Sequence, residues 1–322
     1  MSHKLRHVLK SVLDDLYELG KGVKKGQLQR QMEKLTGVRE SHFIHSSTTK
    51  VRYERAMMKF CDFLEEKGIK RDEQLNRLNK KELRQVVDDY FKRLAEEKYS
   101  KSTIKVHIAA MEKSLAVIRP DIKKYITDEK RIEWWSNGVD SRKRDSYVNP
   151  EAIRERLKPQ HRMIAEAQAL GGFRVREIAR AEVDRENERI IIHRAKGGRT
   201  RELYFDHRKE DFERLASLIE KLQEQHYEQR LKDYYRDLKN AAKATGQEYN
   251  ASHAFRYEYA QRRIEELRKN EEERKELIER YNVNNTDNEA KDKNDTEREA
   301  DKVLTQELGH NRTSMSRYYY RR

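Results

Sequence analysis

The sequence predicts a mainly α-helical protein that contains one small antiparallel β-hairpin. Only 3 prolines and 12 glycines occur among 322 residues, so little interrupts the helices. Apolar residues recur at helical spacing along most of the chain. The exception is a pair of short β-rich runs, 189–194 and 201–205, which are separated by the turn signal Gly197-Gly198. The sequence therefore predicts helices with a single strand-like interruption.

Composition limits the number of domains and the class of partner. A chain of 322 residues is long enough for two packed domains and an appendage, because one core rarely grows beyond about 250–300 residues. Lysine and arginine number 72 against 58 acidic residues, a net charge of +14 that would attract a polyanion such as DNA. A solvated protein with many surface ion pairs is the alternative explanation of this charge.

Cysteine content and hydropathy exclude other classes. The single cysteine, Cys61, allows neither an internal disulfide nor a thiolate metal cluster. The N-terminus has no apolar run that resembles a signal peptide, and no segment approaches the about 18 apolar residues of a membrane span. We therefore expect a protein that does not associate with membranes and that is cytoplasmic or shares the compartment of its DNA.

Composition shifts divide the chain into four parts. Residues 1–45 are predicted to be an N-terminal helical arm, and residues 46–135 a helical domain whose third helix opens at 100–103. Residues 136–147 are the predicted linker, and residues 148–322 the second domain. The arm has an amphipathic stripe that begins at Leu5, and this stripe can pack on its own domain, which we favour, or bind a partner helix or additional DNA.

Charged segments provide the candidate DNA contacts and one predicted loop. Basic residues near the start of the third helix and in the linker suit phosphate contacts, although a solvated helix face or an ordinary charged linker explains them as well. They are Lys101, Lys105, Arg142, Lys143 and Arg144. A charged insertion lies near 265–301 in the second domain, and its part 281–301 almost lacks apolar residues. We expect 281–301 to be a mobile loop.

Short elements that can carry chemistry follow one another along the second domain. They are Gly172–Glu177 with Arg174 at a predicted helix start, Lys196 at the hairpin tip, His253-x-x-Arg256 at a helix start, Leu308-Gly309-His310, and Tyr318–Tyr320. Each alone is a weak signal, with roughly one chance in ten of being catalytic, because ion pairs, turns and core-edge tyrosines are common. Together and in this order they specify one reaction.

That reaction is transesterification of a DNA phosphodiester. Its transition state spreads negative charge over the non-bridging oxygens, where Arg174 and Arg256 would stay protonated and bind two oxygens each. Lys196 would protonate the leaving 5′-oxygen, and a tyrosine would attack the phosphorus once its phenol loses a proton. His253 would take that proton, and His310 would donate to the same phosphate.

This order of residues resembles the catalytic signature of the tyrosine recombinases, the phage-integrase family. The resemblance implies catalytic roles for Arg174, Lys196, His253, Arg256 and His310, with Glu177 as the supporting acid. Aligned without gaps, the family's nucleophile falls nine residues after His310, at Tyr319, with Tyr318 and Tyr320 as alternatives. Residues 46–118 also resemble the family's helical core-binding domain, notably in the run Tyr-Ser-Lys-Ser-Thr-Ile at 99–104.

The resemblance implies a two-domain DNA clamp, in which a core-binding domain and a catalytic domain carry out site-specific recombination. Cleavage would leave a 3′-phosphotyrosine and a free 5′-hydroxyl, and would need no metal, ATP or other cofactor. The partner would be double-stranded DNA, with a homotetramer on two paired recognition sites. The alternatives are a type IB topoisomerase-like enzyme that nicks and reseals, and a non-catalytic basic helical DNA-binding protein, which leaves the ordered motifs to coincidence.

Two features depart from the family pattern. The interval between Arg256 and His310 is longer than usual because of the charged insertion. The chain stops three residues after Tyr319, whereas many relatives continue into a helix that docks on a neighbouring protomer. We therefore expect the apolar stripe of residues 1–20 to join protomers, with the charged segment 265–301 as the alternative.

Overall fold

The fold is mainly helical, as the sequence predicts, with one small antiparallel sheet. The computed structural model describes residues 3–22, 28–29, 43–140, 145–195, 198, 200–283, 295–310, 313 and 319–320. The chain divides into two compact units, Met1–Arg142 and Lys143–Arg322. No helix among the described residues is long and apolar enough to cross a membrane.

The described part of the first unit is built from helices. In its described part these are α1 (Leu5–Gly20), α2 (Ser47–Glu66), α3 (Asp72–Arg77), α4 (Lys80–Glu96), α5 (Lys101–Ile118), α6 (Asp121–Tyr125) and α7 (Asp128–Ser136). Helix α5 begins where the sequence predicts, because the Ser100 hydroxyl accepts a hydrogen bond from the Thr103 amide at 3.2 Å. The short helices α6 and α7 occupy a region where the periodicity is weak, and Trp134 of α7 packs in the core.

Helix α1 is part of the core of the first unit. Leu5, Leu9 and Leu13 are at most 2% exposed and lie in one cluster with residues of α2, α4 and α5. Burying a leucine side chain contributes about 1.5–3 kcal/mol, so this face stabilises the unit itself. The expectation that this stripe joins protomers assumed that its apolar residues are exposed, and that assumption is wrong for Leu5, Leu9 and Leu13. The stripe is amphipathic because it packs on the helices that follow it, the alternative that the sequence analysis favours.

The second unit contains seven described helices and the sheet. Its elements are α8 (Pro150–Arg156), α9 (Pro159–Gly171), β1 (Ala181–Asp184), β2 (Arg189–Ile192), β3 (Arg201–Tyr204), α10 (Lys209–Glu224), α11 (Leu231–Ala244), α12 (His253–Lys269), α13 (Glu271–Arg280) and α14 (Asp295–Glu307). Short 3-10 helices lie at Ile178–Arg180 and Tyr227–Arg230. Helix α12 packs against both α9 and α14, and Arg256 in its first turn donates to carbonyl oxygens just after the ends of α9 and α14.

The sheet has the antiparallel order β1-β2-β3, and β2 and β3 are the predicted hairpin. Strand β1 is not predicted by the sequence, because four residues with two apolar members give little periodic signal. In β3 the buried and partly exposed residues alternate, so that Arg201 and Leu203 face inward. An arginine therefore occupies a core-facing position of this strand.

The charged insertion is more structured than the sequence predicts. Residues 295–301, which we expected in a mobile loop, belong to α14, where Ala300 and Asp301 are buried. Residues 284–294 of the predicted loop lie outside the described residues. The prediction is wrong for 295–301 because the apolar face of α14 continues into Val303 and Leu304, beyond the end of the predicted loop.

Candidate active site

The turn after α9 carries the first predicted arginine. Gly172 adopts a left-handed conformation (φ +60°) at the end of α9, and a Cβ there would lie 2.5 Å from the Tyr259 ring. A glycine is required on both counts. The expectation that Arg174 lies at a helix start is wrong, because Gly172 ends α9 and the next helical turn begins only at Ile178.

Glu177 gathers the positive charges of the site. The residue is 5% exposed, and its carboxylate accepts hydrogen bonds from the Arg174 amide (2.9 Å), Arg174 Nη1 (2.5 Å) and Arg201 Nη2 (2.9 Å). Burial raises the pKa of the carboxyl, but the charges of Arg201, Arg256 and Arg174 outweigh burial and lower the pKa to about 2. Glu177 is therefore ionised across the physiological range and holds the Arg174 side chain in place.

Arg256 lies in the first turn of α12 and is fully buried. It donates to the carbonyl oxygens of Gly172 and Leu308, and its Nη2 lies 3.3 Å from His310 Nε2. Burial lowers the pKa of Arg256, the neighbouring charges of Arg201 and Arg174 act in the same direction, and the pKa falls to about 10. The guanidinium stays charged at neutral pH. It lies among like charges that a bound anion would offset.

His310 follows α14, which ends at Glu307. The Glu307 carboxylate is fully buried, and it accepts hydrogen bonds from Arg263 Nη2 at 2.9 Å and from the Tyr259 hydroxyl at 2.8 Å. Gly309 has φ +61°, and a Cβ at that position would lie 2.9 Å from Arg201 Cδ. The buried Glu307 network and this glycine together fix the path by which the chain leaves α14 and presents His310.

Tyr319 lies against these residues and is only 7% exposed. Its hydroxyl and His253 Nε2 are 2.9 Å apart and share a hydrogen bond. Its ring centroid lies 5.2 Å from the His310 ring and 5.5 Å from the Arg256 guanidinium carbon. The structure thus brings together four of the residues singled out from the sequence, His253, Arg256, His310 and Tyr319.

Arg174 connects to this group through Glu177, whose Oε2 is 3.9 Å from Arg256 Nη1. The described residues therefore place three arginines, Arg174, Arg201 and Arg256, around one carboxylate. Within this described cluster, the three guanidinium groups outnumber the one carboxylate. A tyrosine hydroxyl and two imidazoles lie beside them. Such a site suits an anion with several oxygen acceptors, for example a phosphodiester.

Arg201 is the site residue that sequence reasoning missed. Its guanidinium is buried beside Glu177, although the sequence predicts only a strand at this position. A signal is present, because strand alternation places position 201 on the same face as the buried Leu203 and Phe205. An arginine on a core-facing position requires an acidic or carbonyl partner.

Other predicted residues are not part of this cluster or lie outside the described residues. Lys196 and the alternative nucleophile Tyr318 are outside them, whereas the Tyr320 ring lies 5.8 Å from the Arg268 guanidinium carbon. In the first unit, Lys101 Nζ is 2.9 Å from Asp140 Oδ1, and Lys105 Nζ lies 3.9 Å from the centroid of the Trp135 ring. The predicted basic contacts Arg142, Lys143 and Arg144 also lie outside the described residues.

A family model matches part of the first unit. Among curated proteins no relative of the chain is found. Residues 42–117 match the family model described as the phage integrase N-terminal SAM-like domain. The match includes α2, α3 and α4 and nearly all of α5, and it does not reach the residues of the candidate active site. It supports the phage-integrase family through this N-terminal domain.

Proposed function

We propose that the protein is a site-specific recombinase that cleaves and rejoins duplex DNA through a 3′-phosphotyrosine intermediate. The observation that carries the proposal is the hydrogen bond between Tyr319 and His253, 2.9 Å long, beside the guanidinium of Arg256. The match of residues 42–117 and the net charge of +14 support DNA as the substrate.

In the proposed cleavage step the Tyr319 hydroxyl oxygen attacks the phosphorus in line with the departing 5′-oxygen. The phenolic proton passes to His253 Nε2, which is already within hydrogen-bond distance. The bond between phosphorus and the 5′-oxygen breaks, and Lys196 supplies a proton to that oxygen. The products are a phosphotyrosine ester at the 3′ end and a free 5′-hydroxyl.

The remaining residues stabilise the transition state. Arg256 and Arg174 donate to the non-bridging oxygens, on which the negative charge increases during attack. His310, held 3.3 Å from Arg256 Nη2, donates to the same phosphate. Glu177 keeps Arg174 in position through the pair of hydrogen bonds to its amide and guanidinium. The arginines are thus oriented before the DNA binds, which lowers the reorganisation needed during the reaction.

Rejoining reverses these steps with a 5′-hydroxyl from the partner strand as the attacking group. One phosphoester bond forms for each that breaks, so the exchange is balanced without nucleotide hydrolysis. We propose that a homotetramer on two paired sites exchanges strands in this way, with the two units of each protomer binding the duplex as a clamp. The protomer contacts are made by a surface other than the buried face of α1.

Replacing Tyr319 with phenylalanine tests this function. A pool of nicked DNA duplexes with a randomised core is incubated with the chain, and covalent complexes are isolated on a denaturing gel. We expect the wild-type chain to trap DNA and Tyr319→Phe to trap none while still shifting DNA on a native gel, because only the nucleophilic oxygen is lost. Tyr320→Phe is the matched control and should trap DNA normally.

Each other outcome has a distinct meaning. Trapping by Tyr319→Phe would show that another tyrosine is the nucleophile. DNA binding by the wild-type chain without any covalent complex would reject the enzyme in favour of a non-catalytic DNA-binding protein. Covalent complex and relaxation of supercoiled plasmid, without exchange between selected sites, would reject recombination in favour of a nicking and resealing enzyme.

A further inference from the structure

Arg201 joins three segments of the candidate site that are distant in sequence. Its Nη2 donates to Glu177 Oε2 at 2.9 Å and lies 3.5 Å from the Gly172 carbonyl oxygen. Its Nη1 donates to the carbonyl oxygen of Glu307, the last residue of α14. The side chain is only 4% exposed, so it is held by these acceptors and not by solvent. One guanidinium therefore connects β3, the turn after α9 and the end of α14.

Arg256 connects two of the same segments. It donates to the Gly172 carbonyl oxygen and to that of Leu308, which follows directly on the residue that Arg201 contacts. The two arginines thus bind the same turn and neighbouring carbonyls at the end of α14. They differ in their distance from Glu177, which is 2.9 Å for Arg201 and 3.9 Å for Arg256. Arg201 is hydrogen-bonded to Glu177 Oε2, and Arg256 lies beyond hydrogen-bond distance of the same oxygen.

We propose that Arg201 is a positioning residue for DNA cleavage: it occupies Glu177 and anchors the two chain segments that carry Arg174 and His310. The proposal rests on the recombinase function proposed above. Without Arg201, Glu177 Oε2 would draw Arg256, whose Nη1 lies 3.9 Å from it, away from the phosphate. The turn after α9 and the exit from α14 would also lose their shared anchor. In this role Arg201 acts through these contacts and not by touching the DNA.

The shape of the guanidinium is essential to this role. The guanidinium carries its donors on separate nitrogens in a fixed planar fork, whereas an ammonium group carries its three donors on one nitrogen. Lysine would keep a positive charge near Glu177 but would not bridge the Glu307 carbonyl at the same time. Methionine keeps similar bulk and loses both the charge and the bridge. The two substitutions therefore separate charge from geometry.

The test measures single-turnover cleavage of a selected nicked duplex by Arg201→Met and Arg201→Lys, as a function of pH. Both variants should bind DNA normally and cleave it about a hundredfold more slowly, because misplacement of a catalytic group by about 1 Å has that effect. Arg201→Met should lose still more activity as the pH falls from about 7 to about 5, since Glu177 without Arg201 takes up a proton more easily. Arg201→Lys should show no such additional loss.

Arg189→Met is the matched control. Arg189 lies on the neighbouring strand β2, at the opposite end of the β2–β3 pairing from Arg201, and pairs with Asp184 at 2.7 Å and with Glu202 at 3.1 Å. It should cleave at the wild-type rate with the wild-type pH profile. An equal slowing of Arg189→Met and both Arg201 variants would mean that Arg201 only supports the sheet, which would overturn the proposal. Cleavage by Arg201→Lys at the wild-type rate would overturn the proposal even if Arg201→Met failed to fold.

A measurement without DNA separates this proposal from the function on which it rests. The carboxyl carbon of Glu177, assigned by its loss in Glu177→Gln, is titrated by NMR in the wild-type and Arg201→Met chains. The pKa should be higher in the variant, and an unchanged pKa would overturn the proposed contact. A raised pKa in a chain that never traps DNA would reject the recombinase function while leaving the Arg201–Glu177 contact established. Full-rate cleavage by Arg201→Met would reject the positioning role alone.

Discussion

Replacing Glu177 with glutamine removes the carboxylate around which three arginines gather. Folding lowers the pKa of Glu177 from 4.5 to about 2. Because a tenfold change in proton affinity corresponds to about 1.4 kcal/mol, ionisation of this carboxyl stabilises the folded state by on the order of 3 kcal/mol. Glutamine resembles the protonated carboxyl in shape and charge. We therefore expect Glu177→Gln to lower the free energy of unfolding by about 3 kcal/mol at neutral pH.

The effect of this substitution has a defined dependence on pH. A carboxyl whose pKa is lowered by folding contributes its full stabilisation above its unfolded pKa, and loses it as the pH falls through the folded pKa. For Glu177 that window runs from 4.5 down to about 2. The difference in stability between the wild-type chain and Glu177→Gln should therefore be constant near neutral pH and shrink as the pH falls below about 4.5.

Urea unfolding followed by two probes measures this difference. Both tryptophans lie in α7, so their fluorescence reports on the first unit. The helical circular dichroism signal reports on the whole chain and therefore also on the second unit, which contains Glu177. Glu258→Gln is the control. Glu258 accepts hydrogen bonds from one arginine, Arg154, at 2.9 and 2.7 Å, and is 22% exposed. Glu258→Gln should lower the free energy of unfolding by at most about 1 kcal/mol.

Two results would refute the reasoning. Equal losses of stability in Glu177→Gln and Glu258→Gln would mean that the gathering of three arginines adds nothing to an ordinary ion pair. A difference from the wild-type chain that persists undiminished below about pH 2.5, under conditions where both chains still fold, would mean that ionisation of Glu177 is not its source.

The remaining predictions concern the hairpin lysine and the first helix. Lys196→Ala should lose cleavage of ordinary DNA and regain it when sulfur replaces the 5′-bridging oxygen, because a thiolate leaves without a proton. Arg174→Ala should not be rescued, since its charge acts on the non-bridging oxygens, and equal rescue of both would reject the role of Lys196. Leu9→Ala should lower the stability of the first unit by about 2–5 kcal/mol by tryptophan fluorescence, whereas Leu19→Ala, at a position 62% exposed, should not. Unchanged stability of Leu9→Ala with impaired pairing of two DNA sites would restore the arm as a protomer contact.

Local signals predict those parts of the fold that depend on local physics. The start of α5 is predictable because a serine side chain caps an amide within its own turn. The β2–β3 hairpin is predictable because two β-rich runs flank a pair of glycines. Helix α14 is partly missed because a charged helix shows its apolar face only when the whole helix is considered. The predicted helix start around Arg174 is wrong because Gly172 ends the preceding helix and no new helix begins there.

The sequence by itself predicted which chemical groups the candidate site offers and in what order, and its resemblance to the tyrosine recombinases added the spacing that singles out Tyr319. It could not determine what surrounds them. The partner of α1, the hydrogen bond between His253 and Tyr319, and the place of Arg201 were decided by tertiary structure. The physical reason is distance along the chain: Arg201 meets the Glu307 carbonyl across 106 positions, and no periodicity within a helix or strand records such a contact. Burial then decides which charges must pair, and for this reason Glu177 lies beside three arginines, two of which donate hydrogen bonds to it.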